Sequence, residues 1–482
     1  MPDLPPSRLR PSRPAVRPAL AAVLAALALL APAARAQGAG AVPLSYAAAR
    51  AGMLERSDRL AAARAGVEAG ELQSRGLAGL GGPSISISGA AYAYGLHLQP
   101  DLSGLSEGLG QIALPGLGAL LPVPLPQLPQ LVSDDLLHRH DQRASASVSA
   151  VWPLYLGGAT DAARGIVAGQ TQEARADAEQ ATAESDTLLA QRYFGAQLAQ
   201  RAADLRAQAE RTIAQHDAAA QKMLDAGVIS RVERLQAQAA YEDARRQAAK
   251  ARDDAELAAT ALARTVHAPG PVAPDTPLFV LAEPIEPLGY FLDAAMTRHP
   301  GLAKVAAKKQ QAEQLHAGQE ALRRPQVFAF GTRQLRGSDA NWVAGIGARW
   351  TLLDALDRNA LAAASLKKIE QAERSDAQAR SDIALLVERN WRAVENARRQ
   401  VLAMAPAEAL AREVLRLRTA GLREGTSTTL DLIDAETRLA QVLTERAQAA
   451  NDYVQALAQL LQSAGLGERL PDYIARSDIR LE

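Results

Sequence analysis

The sequence predicts a mainly α-helical fold with a β-barrel part, built from two copies of one unit. Three observations predict it. Landmarks recur along the chain at fixed offsets, the helical stretches are far longer than a compact domain needs, and four short segments alternate apolar and polar residues with period two.

The repeat comes first. Trp152-Pro153-Leu154 answers Trp350-Thr351-Leu352, Tyr193 answers Trp391, and Gly227 to Ala237 (GVISRVERLQA) answers Gly425 to Ala435 (GTSTTLDLIDA), each pair 198 positions apart. Leu60 answers Leu302 and Pro83 answers Pro325 at an offset of 242, so the first half carries 44 additional residues between Pro83 and Trp152. They fall in the Leu/Pro/Gly-rich stretch 96–142, where the second half has only Arg336-Gly337-Ser338-Asp339. Each half reads helix, strand, loop, strand, helix, tip, helix. The expected ranges are 43–81, 84–95, 143–155, 160–225 and 229–266, then 285–323, 326–335, 341–353, 357–422 and 428–465. The expected organisation is a signal peptide 1–36, a first repeat 37–267, a linker 268–287, a second repeat 288–467 and a tail 468–482. The linker is Pro-rich and unfit for helix.

The signal rests on three features. Arg8, Arg10, Arg13 and Arg17 make a positive leader, Ala19 to Ala31 is a short apolar run, and Ala34-Arg35-Ala36 is a small-x-small cleavage site. A short membrane anchor is the other reading, but the run falls below the ~20 residues a spanning helix needs. No later stretch reads as a transmembrane helix, so residence in a membrane requires a β-barrel.

The helix 160–225 would span roughly 100 Å at 1.5 Å per residue, which suits a coiled coil or a bridge across a distance. Val387, Asn390, Val394, Ala397, Val401 and Met404 step by three and four, as do Ala440, Leu443, Ala447, Ala450, Val454, Leu457 and Leu461. These are a/d seams, although periodicity alone leaves an ordinary antiparallel bundle equally open.

In the strands, Trp342, Ala344, Ile346, Ala348 and Trp350 fall on one face, as do Ala144, Ala146, Val148, Ala150 and Trp152. Ser145, Ser147 and Ser149 fall on the other, and Ser84-Ile85-Ser86-Ile87-Ser88 alternates in the same way. This is the pattern of a strand with lipid on one side and a polar lumen on the other. Trp342 and Trp350 would stand about 20 Å apart along the membrane normal at ~3.3 Å per residue and a tilt near 40°. That separation matches two aromatic girdles, with Trp152 also assigned to the belt. A half-buried soluble sheet alternates in the same way. Four strands are too few to enclose a channel, so a barrel requires several chains.

Composition narrows the function. Lys plus Arg and Asp plus Glu are both 53, so there is no basic excess to suggest a nucleic-acid partner. Cysteine is absent, which excludes disulfides, thiolate metal sites and a cysteine-linked lipid. His138 and His140, beside Asp134, Asp135 and Asp141, read better as a solvated loop than as a metal site. No catalytic or nucleotide-binding motif is present, and neither an enzyme nor a cofactor is expected.

With these residues in place, the mature chain resembles the TolC-type outer-membrane efflux proteins. The likeness rests on the repeat, on Trp152 to Gly158 (WPLYLGG), and above all on Gly425-Thr426-Ser427 followed by Asp431-Leu432-Ile433-Asp434-Ala435, similar to the family's G-T-x-x-x-x-D-V-L-D-A signature. The resemblance implies a homotrimer whose subunits each give four transmembrane strands to one 12-stranded barrel, and a periplasmic α-barrel of coiled-coil helices. It implies an exit duct for efflux or type I secretion, set in outer-membrane lipid. The implied partners are a periplasmic adaptor and an inner-membrane transporter of the resistance–nodulation–division, ATP-binding-cassette or major-facilitator type. Asp431 and Asp434 match the family's constriction aspartates, and spacing i, i+3 puts them on one side of a helix. Six carboxylates around one axis would favour cations, although an ordinary helix start also favours Asp. Gly227, Val228, Gly425 and Thr426 match the tip turns that meet adaptor hairpins, and each Gly also suits a tight turn. The alternative to a channel is a periplasmic coiled-coil adaptor or spacer.

Overall fold

The computed structural model describes residues 42–96, 139–335, 341–352 and 355–481. The expected signal segment lies outside them. Among the described residues no helix is long and apolar enough to cross a membrane.

A short strand β1 (Val42–Leu44) leads into helices α1 (Tyr46–Arg56) and α2 (Asp58–Gly76). One helix was expected here. Ser57 breaks it, because its backbone turns extended and its side chain accepts from the Leu60 N–H, capping α2. Strands β2 (Ser84–Leu96) and β3 (Arg139–Tyr155) pair antiparallel, with Leu96 opposite Arg139. The expected insertion 96–142 therefore gives up its last four positions to β3, where the ladder extends them, and 97–138 lie outside the described residues.

Helix α3 (Ala159–Asp225) runs unbroken for 67 residues. It turns at the tip into α4 (Arg231–Thr265). The linker was expected to be non-helical, and it contains two strands that were not anticipated. β4 (Val272–Pro274) pairs parallel with β1, and β5 (Leu278–Val280) pairs antiparallel with the C-terminal segment.

The second half opens with α5 (Leu288–Arg298) and α6 (Pro300–Ala321), again two helices where 285–323 was expected to be one. Pro300 forces His299 out of helical geometry, and the His299 ring accepts from the Gly301 N–H at 3.0 Å. Strands β6 (Gln326–Gln334) and β7 (Trp342–Arg349) follow. The helix expected over 357–422 is also two, α7 (Arg358–Ala403) and α8 (Ala405–Arg423). Pro406 has no N–H to continue the ladder, so the chain breaks at Met404, which the heptad reading had placed in the seam. The rest of that seam holds. Val387, Asn390, Val394, Ala397 and Val401 are buried, and the Asn390 amide donates to Ser463 Oγ at 3.1 Å and to the Gln459 carbonyl at 3.2 Å. Helix α9 (Thr429–Ser463) buries the partner seam, with Leu443 only partly covered. A short 3-10 turn (Gly467–Arg469), α10 (Leu470–Ala475) and β8 (Ile479–Leu481) close the chain, β8 pairing with β5.

The strands β2-β3-β6-β7 form one antiparallel sheet in that order. Next to it the helices pack in the order α2-α3-α6-α7, and towards the tip in the order α4-α3-α9-α8. The core sits between these two arcs, where Tyr46, Tyr193, Phe194, Phe279 and Tyr453 pack together. The Tyr193 hydroxyl fixes the linker there, donating to the Leu44 carbonyl at 2.6 Å and accepting from the N–H groups of Asp275 and Thr276 at 3.0 and 2.8 Å.

Candidate channel wall and tip

Directly opposed residues of an antiparallel sheet share a face, so the register sorts the side chains. On one face Ile85 opposes Ala150, Ile87 opposes Val148, and Trp152 opposes Ala329, which opposes Ile346. Trp342 and Trp350 share the parity of Ile346, so all three expected tryptophans fall on this face. It is open to solvent in the single chain, with Ile85, Ile87, Trp342 and Ile346 each more than 70 % exposed. Trp342 stands at the loop end opposite Arg333. Trp350 stands at the helix end, where its indole N–H donates to the Arg323 carbonyl at 3.1 Å. Trp152 lies midway between them in the register.

The other face is hydroxylic. Ser86, Ser149 and Thr332 form one row across three strands, and Ser88, Ser147 and Gln334 form the next. Ser88 and Ser147 hydroxyls meet at 2.9 Å, and Ser149 and Thr332 at 3.4 Å. Nearer the helices the same face carries Phe330 and Phe328, lying over Gly345 and Gly347. A Cβ at Gly347 would come within 2.7 Å of the Phe328 ring.

At the far end two helical hairpins meet. Gly227 and Gly425 take φ of +73° and +75°, the left-handed conformation both turns need. Val228 is 71 % exposed. Thr426 is folded back, its N–H donating to the Gly421 carbonyl at 2.8 Å and its hydroxyl to the same oxygen at 3.2 Å. Ile213, Ala220, Ala237 and Ile433 form a small core that joins the hairpins.

The two aspartates differ. Asp431 completes a capping box: Thr428 N–H and Oγ1 both donate to Asp431 Oδ2 at 2.9 Å, and the Asp431 N–H donates to Thr428 Oγ1 at 3.1 Å. The Thr428 backbone N–H, then its hydroxyl, then Arg418 at 3.7 Å hold the Asp431 carboxyl below its ordinary range. Asp434, one turn on, is exposed and makes no hydrogen bond or ion pair among the described residues. The first hairpin repeats the cap with Ser230 and Glu233. Glu233 therefore matches Asp431 in function as well as position, whereas Gln236 stands where Asp434 does.

The sequence reading did not single out the Asp217–Arg234 ion pair at 2.6 Å, which bolts α4 to α3, or the capping role of Thr428. The second was readable, since Ser230-x-x-Glu233 and Thr428-x-x-Asp431 are both capping-box patterns.

The family model described as "Outer membrane efflux protein" matches residues 51–266 and 291–466. No curated protein matches the chain. Among solved structures the chain is similar to the Campylobacter jejuni CmeC outer membrane channel, at 12 % identity and a TM-score of 0.71 over 90 % of each chain. It is similar to the open state of the Neisseria gonorrhoeae MtrE outer membrane channel, at 18 % identity and a TM-score of 0.67 over 88 % of this chain and 89 % of that one. It is also similar to the outer-membrane channel OprN, at 17 % identity and a TM-score of 0.70 over 88 % and 90 %. Matched across both halves by the family model, this chain belongs to the outer membrane efflux protein family.

Proposed function

We propose that three copies of this chain close one continuous duct, a 12-stranded barrel in the outer membrane joined to a periplasmic α-barrel. Through it an inner-membrane transporter and a periplasmic adaptor expel their cargo. The chain is a channel of an efflux or secretion system and not an enzyme, as its family membership requires. The observation that carries the trimeric reading is that, among the described residues, two strands of the sheet each keep one edge unpaired. The order β2-β3-β6-β7 leaves β2 and β7 open at the edges of a sheet with an exposed apolar, tryptophan-bearing face. In hydrocarbon, open backbone edges are not tolerated, so other chains must pair them. The helices agree. First-half elements (β2, α2, α4) form one flank at every level, and second-half elements (β7, α7, α8) form the other. Such a molecule associates head to tail and closes into a ring.

Duplication of one unit accounts for the symmetry. α1 and α5 are both 11 residues long and begin 242 positions apart, followed in each half by a helix break. Trp152, Trp342 and Trp350 meet lipid, and the hydroxyl face lines the lumen. Gly227, Val228, Gly425 and Thr426 present the tip to the adaptor. Asp431 and Asp434 supply the constriction, with the unpaired Asp434 the stronger contributor. In planar bilayers, replacing both with Ala is expected to change single-channel conductance and weaken block by multivalent cations. Unchanged cation block removes them from the gate. Heat-modifiable migration after outer-membrane extraction tests the trimer itself.

A further inference from the structure

We propose that Phe328 and Phe330 form a transit subsite for aromatic anions at the inner mouth of the barrel. This rests on the reading of the hydroxyl face as the lumen. That wall ought to be polar throughout; above Phe330 two rows of Ser, Thr and Gln carry no formal charge, interrupted by Val343 opposite Thr332. Below them the composition changes. Val151 and Pro153 of β3 stand opposite Phe330 and Phe328 of β6. On the other side both rings face glycines, so no side chain of β7 covers them. The rings are 6.2 Å apart at 45° to one another, and Phe330 remains 37 % exposed. One step nearer the helices, Arg349 opposes Gln326 on the same face and is exposed. Three copies would set six phenylalanines around the lumen with three guanidinium groups directly beneath. Aromatic faces stack on aromatic solutes and guanidinium groups take their anionic end, so this band favours a solute with a flat ring and a sulfonate or carboxylate over an aliphatic one of equal charge.

The test uses the full-length trimer in planar bilayers, with naphthalenesulfonate or hexanesulfonate added on the barrel side so that neither must pass the tip. Naphthalenesulfonate is expected to block the current at lower concentration. F328L/F330L keeps an apolar side chain over each glycine, and its block is read against its own conductance in plain salt. It should weaken the naphthalenesulfonate block on the order of fivefold, the size of one or two aromatic contacts. F328Y/F330Y should retain the block, and R349Q should weaken block by both sulfonates. If the two sulfonates block equally, or F328L/F330L leaves the difference intact, the rings are only packing over glycine and the subsite is wrong. If the trimer passes no current at all, the channel reading falls and takes this inference with it.

Discussion

Asp431 and Asp434 are three residues apart on one helix, yet their surroundings give them different work. Asp431 accepts from Thr428 twice and faces Arg418, so its charge is already committed to holding the first turn of α9. Its carboxyl is held below the ordinary value. The stabilisation is therefore present above the unfolded-state value and is lost as pH falls through the folded one. At neutral pH, Asp431→Asn should speed amide exchange in the first turn of α9, and wild type and variant should converge as pH drops below the usual carboxylate range. Asp434→Asn should leave exchange unchanged at every pH while altering cation block. If Asp434→Asn accelerates exchange as much as Asp431→Asn does, this division of labour is wrong. From the sequence the two aspartates looked alike. The capping pattern at Thr428 was legible, but the approach of Arg418 from α8 depends on how the hairpin folds back and has no local signal.

At the scale of elements, small residues set how closely the long helices approach. A Cβ at Gly169 of α3 would lie 2.7 Å from Gln311 Cγ and 3.4 Å from the Ala307 carbonyl, both on α6. Gly195, on the same helix, has nothing within 4 Å of its Cβ position. Identical residues thus predict opposite outcomes. Gly169→Val should force α3 and α6 apart and cost ~1–3 kcal/mol, as overpacking does. Gly195→Ala should stabilise by up to about 1 kcal/mol through helix propensity alone. Thermal unfolding followed by circular dichroism gives both signs, and a neutral Gly169→Val would contradict the close approach. The existence of the sheet strands β2, β3, β6 and β7, and the existence and length of α3, α4 and α9, were legible because periods of two and 3.5 persist over many residues. The breaks at Ser57, His299 and Met404 were harder. Each occupies a single position, and the surrounding helical pattern continues across it. Pro300 and Pro406 were visible in the sequence, but a periodic reading outvoted them. The pairing of β5 with β8 joins segments about 200 positions apart in a chain of 482 and leaves no periodic trace.

At the scale of the whole molecule, what the single chain leaves uncovered matters most. α4 and α8 are the outer members of the tip arc, and each carries an exposed apolar stripe at helical spacing. Val232 and Leu235 mark the first flank, and Leu410, Val414 and Leu417 mark the second. Both stripes begin within a few turns of their tip glycines, so the proposed head-to-tail association would bring them to similar heights. Fully burying a Val or Leu side chain is worth roughly 1.5–3 kcal/mol, and the proposed ring of three would repeat that gain at every interface. Val232 and Leu235 are 63 % and 53 % exposed, so placing Asp at both leaves the chain's own core intact. V232D/L235D should therefore lower the temperature at which the proposed trimer dissociates while the helical circular dichroism is retained. Ile433→Asp is the control, because Ile433 is buried between the two hairpins and its loss should loosen the tip within each chain. A V232D/L235D trimer as heat-resistant as wild type would mean that α4 does not meet α8 of the next subunit, and the ring would have to close through the sheet and upper helices alone.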